Sequence, residues 1–154
     1  MNFYKKRCNV LLIKSVEARV FIHATEDEEK VKSALRNVLG DVNIIEETYE
    51  GYYGNKIKII SALINDEKAE NILFNIINNI SMPDKDEILK SFDERIGKGN
   101  SFHIRLNKQK AYLNRLTLSD EDDVIKLIFK FADKQSIEKI KKMIEKSHQV
   151  GYKN

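Results

Sequence analysis

Cationic side chains recur with the period of a β-strand in two separate parts of the sequence. Arg19 and His23 share one phase of a segment that ends near Ala24, and His103 and Arg105 share one phase of a later segment. Residues two positions apart point to the same side of a strand, so each segment is expected to present its cations on one face. Cations neutralise phosphates and release counterions, while guanidinium and aromatic planes stack on unpaired bases. The spacing therefore predicts a surface that binds an anionic polymer.

Two further strand segments could extend this basic face. Lys56 and Lys58 alternate along one of them, and Lys126 and Lys130 alternate along the other. Phe21 places an aromatic ring among the cations of the first segment. The alternative interpretation is an ordinary solvent-exposed face of an antiparallel sheet, because Lys and Arg are common outward-facing residues. The residues alone leave both interpretations open.

A basic connector follows the second of these strand segments. Four cations fall within eleven positions, namely Arg105, Lys108, Lys110 and Arg115. A basic loop beside a sheet edge is suited to clamping phosphates. Lys108 and Gln109 are the strongest binding candidates, because neither capping nor packing of the predicted elements requires them. Tyr112 is expected to pack beneath the connector, as loop aromatic residues usually do.

Other kinds of site have weaker support. The acidic run Asp120, Glu121, Asp122 and Asp123 could join His103 in metal-dependent phosphodiester cleavage, although such a run is more often an acidic turn. The glycines lack the spacing of a phosphate-binding loop, and the three histidines lack the spacing of metal ligands. We therefore expect no metal, no cofactor and no enzymatic activity.

Hydrophobic periodicity predicts the elements that must position these residues. A period of two predicts a first strand from about Val10 to Ala24. Thr25 and Glu28 have the spacing of a capping box, which predicts the start of a helix that ends at Gly40.

Later segments complete the element order. A hairpin is predicted at Gly54-Asn55, a short strand over Arg115–Leu118 and a final helix capped by Ser136. The order β-α-β-β-α-α-β-β-β-α predicts an α+β two-layer sandwich, with a mostly antiparallel sheet and helices on one face. No domain boundary interrupts the pattern, so residues 1–154 are expected to form a single domain.

Composition narrows the class of protein further. A net charge of +3 and a pI near 8.8 permit an anionic partner without requiring one. Cys8 is the only cysteine, which excludes an intrachain disulfide and suits a reducing compartment. The apolar run Val10–Ile13 is far shorter than a signal peptide or a membrane span requires. We therefore expect a cytoplasmic protein that does not enter a membrane.

Four segments of the sequence together resemble a known archaeal family of predicted exosome subunits, also called RNA-binding proteins. These segments are His23–Val31, Glu50–Asn55, Leu106–Tyr112 and Asp122–Lys126. The resemblance implies a fold like that of the large-subunit ribosomal protein that binds 5S RNA. It also implies RNA binding linked to RNA processing or decay, exosome or ribosome-related protein partners, and no established catalytic residues.

The favoured hypothesis is a non-catalytic RNA-binding protein. The residues expected to contact RNA are Arg19, His23, Lys56, Lys58, His103, Arg105, Lys108, Gln109, Lys110 and Arg115. The main alternative is a protein–protein adaptor or homodimer, in which Tyr49, Tyr52 and Tyr53 would be interface anchors. A metal-dependent nuclease that uses the acidic run is the less favoured alternative.

Overall fold

The computed structural model describes the backbone of residues 11–51 and 53–153 and the side chains of these residues up to 148. The described residues form six strands and five α-helices, with a 3-10 turn at Asp93–Arg95. In chain order these are β1 (Ile13–Ile22), α1 (Glu28–Leu39), β2 (Ile45–Glu50), β3 (Lys56–Asn65), α2 (Asp66–Asn79), α3 (Met82–Lys90), β4 (Ile96–Gly97), β5 (Ser101–Asn107), α4 (Lys108–Tyr112), β6 (Val124–Phe131) and α5 (Lys134–Lys153). None of the helices in the described part of the chain has the length and apolar character that a membrane-spanning helix needs.

The strands form one sheet in the order β2-β3-β1-β6-β5-β4, and every neighbouring pair is antiparallel. Alternate residues of β1 are completely buried, including Val16, Ala18 and Val20. Helices α1 and α2 pack against β1, and α5 packs against β6. We call this side the helix-covered face. We call the other side the open face. It carries Glu17, Arg19 and the residues in register with them. The predicted two-layer α+β sandwich is confirmed.

The start of α1 differs from the predicted capping box. Asp27 is the N-cap residue, and its carboxylate accepts hydrogen bonds from the backbone N–H groups of Glu29 and Lys30. Glu26, rather than Glu28, reaches back to a backbone N–H, which belongs to His23 at 3.0 Å. The predicted N-cap at Thr25 is therefore wrong by two residues, because the free N–H groups donate to the carboxylate of Asp27 and not to the hydroxyl of Thr25.

Three other boundaries also differ from the sequence prediction. The expected strand over Arg115–Leu118 is reduced to one bridge between Leu106 and Leu118. The last helix begins at Lys134, and its first turn is capped by Asp133, whose carboxylate accepts the Ser136 N–H at 2.7 Å. The first strand is shorter than predicted, and Val10, at its expected start, lies outside the described residues.

Replacement of the cap tests this account of α1. We expect Asp27→Ala to lower the free energy of unfolding by about 1 kcal/mol, because two N–H groups lose their acceptor. Thr25→Ala, the matched control, should change it by less than about 0.5 kcal/mol. Urea unfolding followed by circular dichroism measures both values, and a larger loss at Thr25 would restore the predicted capping box.

Candidate nucleic-acid interface

Three cations from three adjacent strands lie directly opposite one another on the open face. Arg105 of β5 is the register partner of Lys126 of β6, and Lys126 is in turn the register partner of Arg19 of β1. Neighbouring strands lie about 4.8 Å apart, so these cations span about 10 Å across the sheet. We call Arg105, Lys126 and Arg19 the basic row.

The positive charge of the basic row is largely uncompensated within the described part of the protein. Among the described residues, no carboxylate forms an ion pair with Arg105 or Lys126. Arg19 has only a long contact of 3.5 Å with Glu17, and both side chains are about half exposed. Like charges directly opposite each other destabilise a sheet. An anion above the row would relieve this repulsion, so the arrangement suits a phosphate.

A groove of about 490 Å³ extends from the basic row toward the β4 edge of the sheet. Besides two cations of the row, its lining includes Arg95, His103 and Asp120. The Arg95 guanidinium is held near the groove by hydrogen bonds to the Ser91 hydroxyl at 2.8 Å and to the His103 carbonyl oxygen at 3.4 Å. Lys130 is exposed on the same face of β6, opposite Ser101. The groove therefore adds Arg95 as one further cation, while Glu87, Glu94 and Asp120 place carboxylates in the same lining.

His103 lies on the open face as predicted, but its charge differs from the prediction. Partial burial, followed by the charge of Arg105, lowers the pKa of His103 below its ordinary value of 6.5. The imidazole is therefore neutral at pH 7. Its ring lies close to Gly97, where a Cβ atom would come within 2.8 Å of Nε2. His103 offers the groove a hydrogen-bonding ring rather than a cation.

The expectation that Lys56 and Lys58 extend the open face is wrong. Lys58 is the register partner of Ile22, which is buried in the core, so both side chains lie on the helix-covered face. Lys56 is two positions away and has the same phase. The Lys58 ammonium contacts the Glu28 carboxylate at 2.8 Å, and its hydrogen bond contributes most to lowering the pKa of Glu28. Lys58 therefore holds α1 against the sheet.

Lys108 departs furthest from the sequence expectation. Its side chain is 3% exposed, and its ammonium donates to three acceptors. These are the carbonyl oxygen of Phe21 at 3.0 Å, Glu26 Oε1 at 2.9 Å and Asp123 Oδ1 at 2.7 Å. The inference that no structural role requires Lys108 is therefore wrong. Its ammonium joins the end of β1, the turn before α1 and the loop before β6.

His23 belongs to the same cluster. Its Nε2 lies 3.3 Å from Asp123 Oδ1 and 3.9 Å from Glu26 Oε1, so it faces carboxylates rather than open solvent alone. One ligand atom from each of these three residues lies within 4.8 Å of the others, a spacing that suits a metal ion. The ammonium of Lys108 already contacts both carboxylates, so it supplies the positive charge that this cluster needs.

The acidic run after β5 is divided between two environments. Asp120 lines the groove with His103, whereas Asp123 is hydrogen-bonded to Lys108 and His23. The nuclease alternative requires these carboxylates to converge on His103. Asp123 does not join such a cluster, because Lys108 and His23 hold it elsewhere.

The connector is a single helical turn, α4, which lies against α1 rather than on the open face. Asn107 caps it by accepting the Lys110 N–H at 2.8 Å, and the side chain of Asn37 donates to the Ala111 carbonyl oxygen at 2.9 Å. The exposed side chains of Gln109 and Lys110 therefore lie beside the helix layer, and Arg115 is exposed in the loop that follows α4. The connector and the basic sheet face, which were expected to form one surface, are therefore two separate surfaces.

Tyr112 is also placed differently from the prediction. It is 42% exposed, and the Lys30 ammonium lies 5.7 Å from the centre of its ring. The ring forms part of an exposed groove between α1 and α4 instead of packing beneath the connector.

One surface was anticipated only through Tyr49, which the adaptor alternative names as an interface anchor. Ile45, Tyr49 and Leu63 are each more than half exposed, and all three lie on the open face, on β2 and β3. The available signal was the segment 57–64, in which both strand phases are apolar apart from Lys58 and Ser61. Such a run predicts a strand buried on both faces, whereas the structure covers only one of them.

Removal of the buried ammonium tests the structural role of Lys108. We expect Lys108→Met to lower the free energy of unfolding by about 2–3 kcal/mol, because three charge-assisted hydrogen bonds are lost. Lys110→Met, in the same helical turn but exposed, is the matched control and should have little effect. Equal effects of the two substitutions in urea unfolding would contradict this role.

The pH dependence of the same pair of variants gives a second readout. Burial disfavours the charged form of Asp123, but Lys108, with a smaller effect from His23, outweighs it and keeps the pKa of Asp123 below its ordinary value of 3.8. A lowered folded-state pKa contributes stability above the ordinary value, and this stability is lost as the pH falls through the folded pKa. The stability gap between wild type and Lys108→Met should therefore narrow below about pH 4.

Comparison with known proteins shows the family to which this chain is related. A family model described as RNA binding matches residues 15–131. An uncharacterised protein of Methanocaldococcus jannaschii is 33% identical over 92% of this chain and all of its own length. An RNA-binding protein of Pyrococcus abyssi is 35% identical over 72% of this chain and 77% of its own.

Solved structures agree with this relationship. A crystal structure from Sulfolobus solfataricus, of the group called DUF54, has a TM-score of 0.74 and 28% identity, and covers 86% of this chain and 98% of its own. A DUF54 structure from Archaeoglobus fulgidus has a TM-score of 0.73 and 27% identity, over 88% and 99%. The family model covers most of the chain, including every strand of the sheet except the first two residues of β1. This chain therefore belongs to the family described as RNA binding.

Proposed function

We propose that this chain is a non-catalytic RNA-binding protein that holds the RNA backbone on the open face of its sheet. The observation that carries the proposal is the basic row, in which Arg105, Lys126 and Arg19 lie directly opposite one another across three strands. The family description and the name of the Pyrococcus relative support RNA as the anionic partner.

The contrast between the cations of this chain strengthens the assignment. Lys58 and Lys108 contact carboxylates at 2.8 Å and 2.7 Å, so their charges are used inside the structure. Arg105 and Lys126 have no such partner among the described residues. Unpaired exposed cations can neutralise phosphates without first breaking an internal ion pair, so the counterions that they release contribute fully to affinity.

The other predicted contacts take different places in this proposal. Lys130 on β6 and Arg95 in the groove add cations beside the basic row, and the neutral ring of His103 can donate or accept a hydrogen bond there. Gln109 and Lys110 offer a second, separate contact on α4 to a longer RNA. His23, Lys58 and Lys108 serve the fold.

Neutralising two members of the basic row tests the proposal. We expect Arg105→Gln with Lys126→Gln to weaken RNA binding about tenfold or more at low salt. The dependence of log affinity on log salt should become shallower by about 1–2, because each lost phosphate contact removes roughly 0.7–0.9 from the slope. Fluorescence anisotropy of a labelled RNA across a salt series measures both quantities.

The matched control for this test removes the same charge elsewhere. Lys142→Gln with Lys146→Gln changes two exposed cations of α5, on the helix layer. This variant should bind RNA nearly as well as wild type. Equal losses in the two double variants would mean that net charge alone attracts RNA, and would contradict a site on the open face.

The resemblance to predicted exosome subunits extends the proposal to an accessory role in archaeal RNA processing or decay. We expect the tagged chain to recover exosome or ribosome-related proteins from an archaeal extract that has been treated with ribonuclease. Mass spectrometry identifies the recovered proteins, and the Lys142→Gln, Lys146→Gln variant and an untagged extract are the controls. Recovery of these proteins only before ribonuclease treatment would mean that they are connected to this chain through bound RNA and not by direct contact.

A further inference from the structure

The open face has an apolar half beside the basic row. Ile45 and Tyr49 of β2 are 58% and 51% exposed, and Leu63 of β3 is 61% exposed. Ile57, opposite Tyr49, and Ile59, opposite Glu47, lie on the same face and are partly exposed. We call these five apolar residues the apolar half. Large exposed apolar surfaces on a protein usually mark a binding site.

The register places the apolar half and the basic row in one continuous surface. Arg19 pairs with Ser61 of β3, and Ser61 pairs with Ile45 of β2. Phe21, two residues along β1, pairs with Ile59. The surface thus changes from the cations of the basic row to apolar side chains within two strand spacings, which is about 10 Å.

We infer that the open face binds single-stranded RNA, with phosphates over the basic row and unpaired bases over the apolar half. This inference rests on the proposed function and names its substrate class. An unpaired strand presents both a charged backbone and flat apolar bases, and stacking on aromatic side chains is tolerant of sequence. A duplex keeps its bases stacked inside and shows a protein mainly phosphates and hydroxyl groups, so it would leave the apolar half uncovered.

Two details of the apolar half suit bases. The Tyr49 hydroxyl donates a hydrogen bond to Glu47, which holds the ring in place on the surface. Glu47 lies on the open face opposite Ile59, where its second carboxylate oxygen can accept a hydrogen bond from a base amino group. The same carboxylate repels phosphates, which orients the backbone toward the basic row.

A second copy of this chain fits the open face less well. In a symmetric pair each subunit presents the same patch to the other. Stacking two open faces would bring two uncompensated basic rows toward one interface, and like charges across an interface are unfavourable. The charge of the row is complementary to a nucleic acid backbone and not to itself.

The experiment compares one RNA in two states. A labelled 12-nucleotide RNA without internal pairing is titrated with the full chain, alone and annealed to its complement, at one low salt concentration. We expect wild type to bind the single strand at least tenfold more tightly than the duplex. Tyr49→Ser with Leu63→Ser should weaken single-strand binding about tenfold and leave duplex binding unchanged, because only unpaired bases reach the apolar half.

Leu113→Ser is the matched control, because Leu113 is 60% exposed and lies after α4, on the helix side of the sheet. It should bind both RNAs as wild type does. Thermal melting and light scattering of all variants test whether the fold and the oligomeric state are preserved.

The outcomes separate this inference from the proposed function. Equal binding of single strand and duplex, with losses only in the Arg105→Gln, Lys126→Gln variant, would overturn the inference and leave the proposed function standing. Binding of neither RNA would overturn both. A wild-type dimer that the Tyr49→Ser, Leu63→Ser variant converts to a monomer would assign the apolar half to a second copy, and would also overturn the inference.

Discussion

Strand β1 is hydrogen-bonded on both sides, to β3 and to β6, and its register sets the two faces of the whole sheet. Because side chains alternate with a period of two, the burial of Val16, Ala18 and Val20 forces Glu17 and Arg19 to the open side. The antiparallel pairing then carries this choice outward to every neighbouring strand. A shift of one residue would bury the cations and expose the core, so the same register that builds the core also assembles the basic row.

The charges of this chain divide into two groups with different physical roles. Charges at the boundary between the sheet and the helices are neutralised locally, as when Lys108 bridges the end of β1 and Asp123, or when Lys58 holds Glu28. Burial makes an unpaired ammonium costly, so the partners of Lys108 are a structural requirement, whereas Lys58 is partly exposed and its ion pair contributes less. Charges on the open face are exposed to water, which stabilises them without a partner. They remain available to a ligand for that reason.

The open face combines two properties that each reduce stability or solubility. Directly opposed like charges repel one another across β1, β6 and β5, and exposed Ile and Leu side chains on β2 and β3 order water around them. A ligand with a charged backbone and flat apolar groups would relieve both costs at once. RNA with unpaired bases has this composition, and the proposed function therefore assigns it to this face.

The amino-acid sequence by itself determined the layers of the fold and the phase of most strands. Alternation along 16–24 and 101–107 and the helical stripes around them depend on local spacing, so the two-layer α+β sandwich, Arg19 and Arg105 were all predictable. Only the tertiary structure decided which cations share a surface. Lys58 faces the helices because β3 pairs with β1 in a register that places it beside Ile22, and Lys108 is buried because three segments far apart in the chain meet at its ammonium. Strand pairing and ion pairing across such distances depend on how the elements pack, and neither leaves a periodic signal in the chain.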